Sequence, residues 1–255
     1  MVTKRLLSSR YLSILLVAII ALCVYLATYP LTIDPVLACS PSPWVQQAKV
    51  TADDGAAKDS LGFSIANNGD TVVVGAPEAK IAANKEQGAA YVFVRTAGAW
   101  TQQQKLTAND GAAGDNFGWS VAVSGDTIVV GARNANVGDN DREGTAYVFV
   151  RSGGVWTQQA KLTSQLTNGT DDGLSDEMFG TSVSIDGNSV VVGAPQATNP
   201  IAAAGSDLAG AAYVYLRTAN TWSIQQKLFA ENDPGFPGDP MASPVQAGDN
   251  LGLSV

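Results

Sequence analysis

Beyond residue 44 the apolar residues of this chain fall in short runs separated by Gly, Asp and Asn, and nowhere at the three-and-four spacing of an amphipathic helix. Ser120-Val-Ala-Val123 and Thr127-Ile-Val-Val-Gly-Ala132 flank Ser124-Gly125-Asp126, the pattern of a hairpin closed by a glycine-bearing turn. Gly144-Thr-Ala-Tyr-Val-Phe-Val-Arg151 follows, rich in β-branched and aromatic residues, and after Gly153-Gly154 comes Trp156-Thr-Gln-Gln-Ala-Lys-Leu162. These segments predict a succession of short antiparallel strands. The second strand is apolar at consecutive positions, as a strand covered on both faces must be. The fourth carries glutamines, which predict an outer strand with one wet face.

The whole set recurs. A Trp-x-x-Gln-x-Lys strand begins at Trp44, Trp100, Trp156 and Trp222, with the first two intervals equal at 56 residues and the third lengthened to 66. Val72-Val73-Val74-Gly75-Ala76 and Val190-Val191-Val192-Gly193-Ala194 repeat the second strand, and Ala90-Tyr91-Val92-Phe93-Val94-Arg95 and Ala212-Tyr213-Val214-Tyr215-Leu216-Arg217 repeat the third. A fixed period of this size marks a repeat architecture. Four antiparallel strands per unit, copied in tandem, predict the blades of an all-β propeller, in which radial repetition leaves only short edges. Gly75, Gly131 and Gly193 close the second strands, where backbones of neighbouring blades would approach too closely for a side chain.

Phe117-Gly118 and Phe179-Gly180, with the degenerate forms Leu61-Gly62 and Leu251-Gly252, precede each first strand, and Gly75-Ala76-Pro77 and Gly193-Ala194-Pro195 follow the second. Copy two has Gly131-Ala132-Arg133 at that corner. Taken in order, these motifs resemble the FG-GAP repeat, the blade unit of integrin α-subunit propellers and of many bacterial surface and secreted proteins. The resemblance covers residues 44–255, with units at 44–99, 100–155, 156–221 and a partial 222–255. It implies a seven-bladed propeller that recognises ligands through its loops. Against that pattern the chain reads as about three complete blades plus partial strands: an outer-type strand at Trp44 and the beginning of a first strand at Gly252-Leu-Ser-Val255. An open arc of this kind is expected to be a truncated member of its family and to self-associate through its unfinished edges. Residues 232–248, with Pro234, Pro237, Pro240 and Pro244, are expected to be an inserted loop.

Metal chemistry is the next question. Integrin-type repeats hold calcium in an acidic loop between the first and second strands, but the matching places here are the tight turns Asn67-Asn68-Gly69-Asp70, Ser124-Gly125-Asp126 and Asp186-Gly187-Asn188. Calcium takes six to eight oxygens, more than so short a turn can supply. A second acidic element lies before each Phe-Gly pair: Asp54 with Asp59, Asp110 with Asp115, and Asp172 with Asp176 and Glu177. Two readings stand: residues that turn the chain and bond their own backbone, or one calcium-type site per blade. The first is preferred, and no cofactor is expected. The loop Gly138-Asp139-Asn140-Asp141-Arg142-Glu143 is read in the same way, as a solvated turn.

Aromatic residues divide into two groups. The tryptophans that recur once per unit read as wedges in the core. Trp119 does not recur, since Phe63, Thr181 and Leu253 occupy the matching positions, and it is the candidate for a ligand contact.

The chain of 255 residues has no histidine, which excludes Ser-His-Asp, Cys-His and His-metal chemistry, and no unrepeated acidic pair stands out. A binding protein is therefore expected rather than an enzyme, with an accessory or catalytic propeller of an exported hydrolase or lyase as the alternative. A net charge of −8 has the wrong sign for nucleic acid. The expected partner is an extracellular protein or glycan.

The N-terminus supplies the expected address. Lys4, Arg5 and Arg10 precede an apolar run from Tyr11 to Ala27, followed by Val36-Leu37-Ala38. Residues 1–38 read as a hydrophobic helix serving as signal peptide, with a signal anchor as the alternative, and residues 39–43 as a Ser/Pro linker. Lipid attachment at Cys39 is a third reading. Cleavage after Ala38 removes Lys4, Arg5, Arg10 and Asp34 and leaves a net charge of −10, with Cys39 as the sole cysteine and no intrachain disulfide. The membrane is expected to matter only through this segment.

Overall fold

The computed structural model describes residues 45–165, 174–198, 210–229 and 251–255. The N-terminal helix and linker, Trp44, Asp172 and the proline-rich insertion at 232–248 lie outside them. The chain divides into Met1–Gln47 and Ala48–Val255. In the first unit, residues 45–47 are exposed and carry no regular structure.

The second unit is all-β. Its strands are β1 (Ile65–Asn68), β2 (Thr71–Ala76), β3 (Ala89–Thr96), β4 (Ala99–Leu106), β5 (Phe117–Ser124), β6 (Thr127–Ala132), β7 (Thr145–Ser152), β8 (Val155–Leu162), β9 (Ser182–Asp186), β10 (Ser189–Ala194), β11 (Ala211–Thr218) and β12 (Thr221–Leu228). They form three antiparallel sheets, each a meander in chain order: β1-β2-β3-β4, β5-β6-β7-β8 and β9-β10-β11-β12. No strand of the first sheet pairs with one of the third, so the described blades form an open succession.

The cores lie between the sheets. Val73, Ala90 and Val92 of the first blade pack with Val121, Ile128 and Val130 of the second. Val129 and Val148, on the opposite face of the second blade, pack with Val183, Val190 and Val192 of the third. Consecutive valines on β6 therefore serve two interfaces, because alternate residues of a strand point to opposite faces. All six residues of β6 are buried.

Each Phe-Gly pair locks a blade to the one before it. The Phe117 N–H donates to Gln87 O at 2.8 Å and that of Phe179 to Glu143 O at 2.8 Å. Each ring packs edge-on into aromatics of its own third strand, Phe117 against Phe149 at 5.9 Å and Phe179 against Tyr213 at 5.2 Å. The carbonyl of the glycine after it approaches the preceding blade's second strand so closely that the residue it meets there has no room for a side chain. A Cβ on Gly75 would lie 2.0 Å from Gly118 O, on Gly131 2.0 Å from Gly180 O, and on Gly193 1.9 Å from Gly252 O. Those same carbonyls accept from Ser64, Ser120 and Ser182 hydroxyls at 2.7–2.8 Å. Leu251-Gly252 thus plays toward the third blade the part that Phe117-Gly118 plays toward the first.

Two expectations need correction. Residues 45–50 form no strand. An outer strand needs a third strand to pair with, and here only Val50, together with Ala52, finds burial against the first blade's own core. The glutamines of the fourth strands are also more than a wet face. Gln103 Oε1 accepts from the Trp156 indole N–H at 2.9 Å, and Gln159 Oε1 from that of Trp222 at 2.9 Å. Gln104 bonds the Trp156 main chain twice, donating to its carbonyl and accepting from its N–H. They are the polar seam between outer strands of adjacent blades.

Candidate ligand-binding face

The loops 77–88 and 107–116 meet at the end of the blades where second strands finish and third strands begin, the Gly114 N–H donating to Lys85 O at 2.9 Å and that of Asn116 to Glu86 O at 3.0 Å. Asp54 and Asp110 fold back there over a cross-strand pair of their own blade. Asp54 accepts from Lys105 at 2.7 Å and Tyr91 at 3.0 Å, and Asp110 from Lys161 at 2.7 Å and Tyr147 at 2.9 Å. Tyr91 faces Lys105, and Tyr147 faces Lys161, in the strand register. The Lys105 ammonium holds the Asp54 carboxyl below the usual carboxylate range. Burial pushes Asp110 up, but Lys161 and Tyr147 outweigh it and leave the carboxyl low.

Asp59 and Asp115 do different work. Each accepts from the backbone three residues earlier, at Ala56 (2.8 Å) and Ala112 (2.7 Å), which fixes the turn. Burial raises the Asp115 carboxyl. Asp110 and Asp115 share the lining of a polar cavity of about 320 Å³ with Asn134, Asn136, Arg142 and Lys161. Among the described residues no three His, Cys, Asp or Glu side chains come together as a metal cluster. Asp172 lies outside those residues.

Asp176 is not the counterpart of Asp115. It takes the slot of Lys58 and Gly114, sharing their positive φ (70°, 77° and 88°), while Glu177 occupies the place of Asp59 and Asp115 and is buried. The aligned count from Asp172-Gly173 already separates the two residues, five positions after the Asp being Glu177. Asp176 instead reaches Arg142 at 2.5 Å, an ion pair without hydrogen-bond alignment. The solvated turn expected at 138–143 holds at Gly138, Asp139, Asp141 and Arg142, which are exposed, and fails at Glu143. Glu143 is 0 % exposed and its two oxygens accept from Ser164 and Asn140 at 2.9 Å. Gln87 is its counterpart in the first blade, accepting from Asn84. Position in the repeat, not local polarity, marks these as interior.

Of the recurring tryptophans, Trp100, Trp156 and Trp222 are among the described residues, and each lies under an arginine of its third strand: Arg95 over Trp100 at 5.5 Å, Arg151 over Trp156 at 4.9 Å and Arg217 over Trp222 at 5.1 Å. Arg151 also reaches Thr71, and Arg217 reaches Thr127, each in the preceding blade.

Trp119 stands apart. Strand β5 loses register between Phe117 and Ser120, so Gly118 and Trp119 form a bulge, a device that re-aims a side chain. The indole packs against Phe63 of the first blade at a tilt of 52°, with centroids 4.4 Å apart, and carries the Arg133 guanidinium 3.4 Å above its ring. Phe63 is 51 % exposed. Arg133 Nε is buried with no hydrogen-bond partner among the described residues, and burial lowers the pKa of the guanidinium. The sequence singled out Trp119 and showed Arg133 replacing proline. It did not reveal that the two departures touch.

A family model for the FG-GAP repeat matches residues 44–93, 100–149 and 156–215, together more than half of the chain. A search of curated proteins finds no match. Among solved structures, the computationally designed Ika4 protein is similar at 15 % identity and a TM-score of 0.40, over 69 % of this chain and 75 % of that one. A chain of the S. cerevisiae dbp5 variant assembly with nup159, gle1, IP6 and ADP is similar at 14 % identity and a TM-score of 0.35, over 67 % and 37 %.

Proposed function

Because this chain belongs to the FG-GAP repeat family, we propose that it is an exported or cell-surface, non-enzymatic propeller that binds protein or glycan ligands through its loops. One observation carries the reading. The side chains common to the blades are engaged within a blade or between neighbouring blades, whereas the two that break the repeat, Trp119 and Arg133, meet beside an exposed Phe63. A contact that the scaffold forms without, yet that one blade acquires at two positions, is available for recognition. Export is supported by the basic and apolar N-terminal pattern.

Two measurements test this. Mass spectrometry of the exported protein should find an N-terminus at or near Cys39; an intact Met1 in a membrane fraction would favour an anchor. Arrays of extracellular proteins and glycans probed with the full chain should return saturable binding that survives removal of divalent ions. Turnover of any arrayed ligand would overturn the non-enzymatic reading.

A further inference from the structure

We propose that Phe63, Trp119 and Arg133 form a subsite for a carboxylate-bearing sugar, that is, an acidic unit of a glycan; this deepens the ligand-binding reading above and rests on it. The repeat supplies an internal control. Position 119 corresponds to Phe63, Thr181 and Leu253, and position 133 to Pro77 and Pro195, so the blade forms without either tryptophan or arginine. Both changes fall in one blade and the side chains lie 3.4 Å apart.

The chemistry follows from what Arg133 lacks. The other described arginines each hold an oxygen partner on an Asp or Asn: Arg95 with Asp70, Arg142 with Asp176, Arg151 with Asp126 and Arg217 with Asn188. Arg133 has no hydrogen bond or ion pair among the described residues, and its Nε is buried. A guanidinium held 3.4 Å over an indole is pre-organised for a planar, bidentate acceptor, and a carboxylate matches that fork. A chain carrying a net charge of −8 repels polyanions, so the favoured ligand brings a single carboxylate rather than a dense array of phosphates or sulfates.

The body of the ligand is set by the neighbours. Phe63 presents an exposed ring against Trp119, an apolar surface on which the C–H face of a sugar ring can rest. Three side chains make a small patch, whereas a stable protein partner buries about 800 Å² on each side.

The test is calorimetric titration of the full chain with galacturonate and its methyl ester, using Arg133→Pro and Trp119→Thr, which install residues found at the same places in sister blades. The expected result is saturable binding of the uronate, weakened at least tenfold by esterification and by each substitution, with melting unchanged. Arg133→Gln supplies a second variant should the proline perturb the corner. Uronate binding that ignores Arg133, or equal binding of the ester, would overturn the subsite while leaving a ligand-binding propeller standing. Absence of uronate binding alongside Arg133-dependent capture of a peptide with a free C-terminal carboxylate would assign the site to protein and overturn the glycan proposal. Absence of both ligands overturns it outright, and the array result above then decides the broader reading separately.

Discussion

The first and second blades follow the same sequence pattern and have markedly different surroundings. In the second, β5 begins with buried Phe117 and Gly118 and packs against the first blade, and Trp156 is 2 % exposed beneath the seam made by Gln103 and Gln104. In the first, β1 is mostly exposed, Ile65 at 65 %, Leu61 stands where a phenylalanine would, and Trp100 is only half-buried. The second, third and fourth strands have the same lengths and register in the two blades, whereas β1 covers four residues and β5 eight. A blade therefore obtains its local form from its own residues and much of its burial from the blade on the side of its first strand. This is the nearest-neighbour energetics of a repeat protein, intrinsic terms plus interface terms.

The comparison breaks most sharply at the interblade glycine. Gly131→Ala places a Cβ 2.0 Å from the backbone oxygen of Gly180, where neither group can yield cheaply, and should cost about 3 kcal/mol or prevent docking of the third blade. Gly69→Ala, with nothing within 4 Å but a φ of +57°, should cost about 1 kcal/mol through backbone strain alone. Urea denaturation of the two variants separates the mechanisms, and equal losses would show that the close approach is not rigid.

The tryptophans come next. Trp156→Ala should destabilise by about 3–5 kcal/mol, since it empties a packed interface and strands Gln103 and Gln104. Trp100→Ala should cost about 2 kcal/mol, in keeping with its half-burial. The interval between the two midpoints measures what a neighbouring blade contributes; no interval would mean that the wedge acts within its own blade.

Smaller effects come from the carboxylates at the loop end. Asp54 and Asp110 both titrate below their unfolded values, so the stability they confer is fully present above the unfolded pKa and is lost as pH falls through the folded one. Their lysine pairs are partly exposed, which limits each to about 1 kcal/mol. Asp110→Asn should therefore lower stability at neutral pH and flatten its decline in acid. Asp115 has the opposite sign, its raised pKa making the charged form a cost as pH rises through it, so Asp115→Asn should not mimic Asp110→Asn. The smallest effect concerns calcium. With Asp54, Asp59, Asp110 and Asp115 each engaged by a lysine, a tyrosine or a backbone N–H, millimolar calcium should shift the melting temperature by less than about 2 °C. A larger rise, reversed by chelator, would make these loops metal sites.

The repeat, the strand order within a blade, the interblade glycines and the family motifs were all legible in the chain, because each follows from a period, an apolar run or a residue without a side chain. The same reading isolated Trp119 by noticing where the period fails. The outer-strand pattern that begins at Trp44 yields no strand over residues 45–50, since an isolated segment carries that pattern whether or not a partner strand is there to complete its ladder. Local sequence also placed Glu143 in solvent, because an acidic, glycine-rich loop looks the same when it folds inward onto Ser164 and Asn140.

Local pattern thus determined what each segment is, strand or turn, and which positions recur. Tertiary structure alone decided what each recurring side chain meets. Gln103 becomes a seam only when Trp156 arrives 53 positions later, and Arg133 becomes a clamped cation only when a bulge turns Trp119 toward it. Burial and pairing are properties of distances between residues far apart in the chain, and one strand's sequence contains no record of those distances.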